Sequence, residues 1–124
     1  SPFDTYRPTS KNDYLDIVTS SHGKAPQAEK DRQYLDAVEK ALEHIASDTE
    51  IVFYNAGVDI YPAISPSCVK AREEMVAEAL RDKPTVIVMA GGYGTMEEIV
   101  PLHMATLSSF ARRDSMASCS VLGQ

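Results

Sequence analysis

The sequence predicts a single α/β domain in which strands and helices alternate, and three observations lead there. Tyr14–Thr19, Ile51–Tyr54 and Thr85–Met89 are short apolar runs rich in β-branched residues, the signature of buried strands. Between and after them, apolar residues recur at helical spacing with charged residues opposite. The connections are short, and a β-α-β-α-β-α order so joined implies parallel strands, right-handed crossovers and helices packed on the sheet. A chain of 124 residues is sized for one such domain.

The elements follow in order. Residues 1–13 carry two prolines and no periodicity, and read as an irregular lead-in. The domain proper spans 14–111. Its first strand, Tyr14–Thr19, runs into a loop punctuated by Gly23 and Pro26. Lys30–Ala46 is the clearest helix, with Tyr34, Leu35, Val38, Ala41, Leu42 and Ile45 on one stripe. Ile51–Tyr54 is expected to be covered on both faces, as in the middle of a parallel sheet. Asn55–Pro62 then reads as a loop, with Ala56-Gly57 allowing a tight backbone. Ser65-Pro66 is a good helix start, a Ser cap before proline at the first helical position. That helix is expected to reach about Arg81, burying Val69, Met75, Val76, Ala79 and Leu80. After Thr85–Met89 and Gly91-Gly92-Tyr93-Gly94, Thr95 and Glu98 make a capping box. The last helix should bury Met96, Ile99, Val100, His103 and Leu107, and residues 112–124 read as a flexible tail. The expected architecture is a three-layer βαβαβα unit with a short parallel sheet. Three strands make a narrow sheet whose edges need cover, which predicts a homodimer or a protein partner.

Composition excludes several classes of function. Twelve basic against eighteen acidic residues give a formal charge of -6 with no basic block, which argues against nucleic acid and against an anionic membrane surface. No apolar run reaches the roughly 18 residues of a membrane span, and SPFDTYRPTS lacks the apolar core of a signal peptide. The expectation is a soluble protein acting in nucleus or cytoplasm, or delivered there from another cell as an effector. Cys68 and Cys119 stand far apart without a CxxC pairing, so neither a disulfide framework nor a thiolate zinc site is indicated.

Parallel strands end on one side of a sheet, so Ser20-Ser21-His22, Asn55–Asp59 and Gly91–Gly94 should converge there. An Asp, a His, a Tyr and glycine backbone at one rim can bind a divalent metal and polarise a carbonyl. The bland alternative is an Asp that caps its own loop and a glycine turn without a ligand. Gly91–Gly94 is no GxGxxG fingerprint, and neither a Walker motif nor a Gly-x-Ser-x-Gly elbow occurs. His44 reads as a solvent-side residue and His103 as a core-edge histidine.

IVFYNAGVD, ISPSCVKAREEMV and VIVMAGGYG resemble the C-terminal half of the histone deacetylase family, best its class IV branch and bacterial and plant relatives. RQYLDAVEKAL and the strand and S-x-H turn at Tyr14–His22 extend the similarity from about Tyr14 to Leu107. The resemblance implies the C-terminal half of an arginase-like fold. It implies Asp59 as a zinc ligand, Tyr93 as the hydroxyl that polarises the acetyl carbonyl, and Gly91 and Gly92 as substrate-binding backbone. Ser20, Ser21 and His22 match the turn near that family's monovalent-cation site. The family's tandem His-His and its Asp-x-His do not occur in this chain. Only Ile60-Tyr61-Pro62-Ala63 separate Asp59 from the I-S-P helix start, where the family has a longer, channel-lining loop. The expectation is a catalytically inactive, truncated deacetylase-like domain that binds protein and holds no cofactor. The alternative is a zinc-dependent acyl-lysine deacetylase whose half-site is completed by a partner chain or by upstream sequence.

Overall fold

A computed structural model describes residues 25–122, with side chains through Met116. The expected lead-in, the strand Tyr14–Thr19 and the Ser20–His22 turn lie outside the described residues. The elements that follow are α1 (Gln27–Leu42), β1 (Val52–Gly57), α2 (Pro66–Ala79), β2 (Thr85–Ala90) and α3 (Met96–Leu122). The class is mixed α/β, and β1 and β2 form a two-stranded parallel sheet in register Val52↔Thr85 to Gly57↔Ala90.

Local chemistry sets the helix starts. α1 begins three residues earlier than its apolar stripe suggested, because the carbonyl of Pro26 accepts from the N–H groups of Glu29 and Lys30. Ser65 caps α2 as expected, its hydroxyl accepting from Cys68 N–H at 3.2 Å. Asp31 of α1 reinforces that cap. One carboxylate oxygen accepts from Ser65 N–H at 3.1 Å, and the other from the Ser65 hydroxyl. Thr95 and Glu98 form the expected reciprocal box at α3, with bonds of 2.9 and 3.3 Å.

All three helices pack on one face of the sheet. Val58, Ile64, Cys68, Val69, Ile99 and Leu102 form one buried cluster, against which Tyr34 and Leu35 of α1 rest. Val76, Ala77, Leu80 and Phe110 form a second, packed on Val52, Tyr54 and Ile87 of the strands. The other face of the sheet is open among the described residues. Phe53 is 70% exposed, Val86 40% and Val88 47%. Continuous apolarity thus marks strands covered here on one side only, not on both as the sequence led one to expect.

Two helix faces also differ from expectation. α2 buries Cys68, Val69, Arg72, Glu73, Val76 and Ala77, while Met75 is half-buried and Ala79 exposed. α3 seats Ile99, Leu102, Thr106 and Phe110, and leaves Met96, Val100, Met104 and Leu107 outside. α3 is turned this way because Phe110 stacks 5.9 Å from the ring of Tyr54 and Arg113 reaches the end of α2. Arg113 Nη1 donates to the carbonyl of Leu80 at 3.1 Å and the hydroxyl of Thr85 at 3.2 Å, with its guanidinium 4.9 Å from the Phe110 ring. The backbone remains helical to Leu122, so residues past Phe110 continue α3 where the sequence suggested a tail.

The polar centre of the core is an ion pair between neighbours. Glu73 is fully buried and Arg72 nearly so. Arg72 Nε donates to Glu73 Oε1 at 2.7 Å, and Nη2 donates to the same oxygen. Arg72 Nη1 donates to the Tyr34 hydroxyl at 3.1 Å and the Gly57 carbonyl at 2.7 Å. The Tyr54 hydroxyl donates to both Glu73 oxygens, at 3.0 and 3.1 Å. Burial and the Glu73 carboxylate raise the Tyr54 phenol above its ordinary value although Arg72 opposes them, so it stays a donor. Replacing Arg72 by Met strands a buried carboxylate, and urea unfolding should show a loss of about 3–5 kcal/mol. The double variant Arg72→Met with Glu73→Leu should recover most of that loss.

Candidate functional site

The C-terminal ends of β1 and β2 form a rim, where the sequence placed its candidate residues. Val58 N–H donates to the Ala90 carbonyl at 3.1 Å, so the two strand ends stay paired up to the rim. Asp59 follows directly and is exposed. Its carboxylate lies over Gly91, where a Cβ would stand 1.5 Å from Asp59 Oδ1. Gly91 and Gly92 have φ of 71° and 108°, left-handed backbone that a side chain resists. Gly92 is also hemmed in, since a Cβ there would meet Ile99 Cγ2 at 2.8 Å. Glycine is therefore required at both positions for backbone reasons alone.

The structure thus brings Asp59, Gly91 and Gly92 together. Tyr93, next in the loop, is 89% exposed and stands in solvent. Ser20, Ser21 and His22 lie outside the described residues. Among the described residues, no three His, Cys, Asp or Glu side chains gather where one metal ion could be held. A catalytic zinc takes about three protein ligands and an open position, which Asp59 alone does not provide. The described residues therefore do not fit zinc by themselves.

Other groups at the rim escaped the sequence reading. Burial and the neighbouring Glu98 carboxylate raise the phenol of Tyr61 above its ordinary value. Glu98 also accepts from Thr95 N–H at the start of α3, at 2.9 Å. His103 turns Nε2 toward Gly92, 3.6 Å from where its Cβ would be. Its Nδ1 is buried without a hydrogen-bond partner among the described residues, as is Thr106 Oγ1 one turn on. His103 is half-buried, the core-edge position its sequence context suggested, and His44 is exposed with Nδ1 2.8 Å from the Lys40 carbonyl. Cys68 packs beneath α1, and burial, aided by Asp31, pushes its thiol up to about 11, against the pull of Arg72. It is a packing residue. The spacing of Tyr61 and Glu98 carries no signal by which the two could have been grouped.

No family model matches the chain, and no curated protein or solved structure shows significant similarity to it. No helix among the described residues is long and apolar enough to cross a membrane.

Gly91→Ala should lower stability in urea unfolding by about 1–2 kcal/mol from the left-handed backbone alone. The Asp59 contact adds to this loss, and adding Asp59→Ala should return the contact part and not the backbone part. Tyr93→Phe, at an exposed site, should leave stability within about 0.5 kcal/mol of the parent.

Proposed function

We propose that this chain is a catalytically inactive domain of histone-deacetylase type, with the C-terminal half of an arginase-like fold, that acts by binding protein. The observation that carries the binding reading is the apolar surface that folding leaves outside. Phe53, Val86 and Val88 line the open face of the sheet, and Met96, Val100, Met104 and Leu107 run along the outer side of α3. Contiguous patches of this kind mark interaction surfaces more often than they mark bare surface. Self-association is the simplest use of such a patch, since a twofold dimer buries the same surface twice. The inactive reading is supported by the rim, where Asp59 has no second or third ligand beside it among the described residues.

Two measurements test this. Purified protein is expected to carry no stoichiometric zinc and to show no zinc-dependent turnover of acetyl-lysine peptides. Robust turnover that is lost in Asp59→Ala would overturn the inactive reading in favour of a deacetylase half-site. Native mass is expected to report a dimer through the open sheet face, returned to monomer by Val88→Glu with helicity unchanged. A parent that stays monomeric at high concentration counts against self-association.

A further inference from the structure

β1 has an edge that the described residues leave open. In a parallel ladder one residue turns both its N–H and its C=O to the same neighbour, and the next residue turns both away. Val52 N–H donates to the Pro84 carbonyl at 2.9 Å and Val58 N–H to that of Ala90 at 3.1 Å, so the even-numbered residues of β1 face β2. Phe53, Asn55 and Gly57 therefore aim their main-chain groups at the opposite edge. The Gly57 carbonyl is taken by Arg72. Among the described residues, nothing similar meets Phe53 or Asn55.

Beside that edge lies an open cleft of about 260 Å³. Phe53 and Asn55 line it from the sheet, Val38, Leu42 and Ile45 from α1, and Val76 from α2. α1 shows the same incompleteness, because none of its residues is fully buried. β1 carries no charge and no proline, the devices by which exposed edges are kept from pairing. An uncharged edge beside an apolar cleft has the form of a site for one more strand.

The chain itself indicates the occupant. In a right-handed βαβ unit the crossover helix lies over the two strands it joins, as α2 lies over β1 and β2. α1 lies on the far side of α2, over the open edge of β1, which is the place for a crossover helix arriving from a strand beyond that edge. Ahead of α1 is one apolar, β-branched run, YLDIVT, and only residues 20–26 separate it from Gln27. Seven residues span up to about 23 Å, ample to climb the roughly 10 Å from sheet to helix layer. We propose that the open edge of β1 is the docking site for Tyr14–Thr19 of this same chain, a segment outside the described residues. It adds a parallel strand, giving the order Tyr14–Thr19, β1, β2, with Leu15 and Ile17 entering the cleft under α1.

Solution NMR of the full chain tests this directly. Cross-strand nuclear Overhauser contacts between Tyr14–Thr19 and Phe53–Gly57 are expected, and in a mixed sample of labelled and unlabelled protein they should be intramolecular. The amides of Phe53 and Asn55 should exchange slowly, and at least one of Ile17→Pro and Val18→Pro should speed them about 100-fold while α2 amides stay protected. Absence of those contacts in the parent chain would overturn the proposal, even if both proline variants fail to fold. Contacts that are intermolecular, or slow exchange that grows with concentration, would overturn it in favour of a second copy on the same edge.

Discussion

The fold is organised on the buried pairing of Arg72 with Glu73. Residues adjacent on a helix point in divergent directions, so a bond between them needs a side chain that folds back. Arg72 does so because both charges are buried, and a buried charge needs a partner. The guanidinium then has donors left over, and these reach α1 at Tyr34 and the end of β1 at Gly57. Tyr54 completes the carboxylate from the strand. Three hydrogen-bonding partners from two other elements meet at this charge pair, and sliding α2 along β1 would strand at least one of them. Desolvation makes such a pair costly in itself. What it supplies is discrimination, because apolar contacts tolerate small shifts and these bonds do not.

That pair also marks the limit of what the sequence revealed. Val69, Val76 and Leu80 were legible as the inner stripe of α2, and Arg72-Glu73 sits in that stripe where periodicity calls for apolar residues. An interrupted stripe was the available signal. Its partners, Tyr34 and Tyr54, lie 38 and 19 residues away in the chain, and no local rule connects them. The first half of β1, β2, the Ser65 cap and the Thr95–Glu98 box were readable because each depends on neighbours in sequence, whereas Asn55–Gly57, read as loop, continue β1. α3 was harder, because it is apolar on two sides. Met96, Val100 and Leu107 satisfy the helical period as well as Leu102, Thr106 and Phe110 do, and only Tyr54 and Arg113 decide which row turns inward.

The rim was legible in part for a similar reason. Asp59 and the glycines each end a strand, so parallel pairing alone brings them together. The contact of the Asp59 carboxylate with Gly91 also supplies a conformational reason for the glycine that owes nothing to a substrate. Such a contact persists whether or not the rim does chemistry. The backbone therefore fixes Gly91 and Gly92 whatever the rim does, and Tyr93, exposed in solvent, has no comparable structural duty.

The length of α3 has a consequence of scale. At 1.5 Å per residue its 27 residues extend about 40 Å, whereas six-residue strands extend about 20 Å. The helix starts at the rim and runs back antiparallel to β2, so roughly half of it overhangs the opposite end of the sheet. Arg113, the last side chain seen to grip the body of the fold, lies two-thirds of the way along. The next side chains described, Asp114, Ser115 and Met116, are exposed. The far end of α3 therefore lies some tens of ångströms from Asp59, too far to touch the rim.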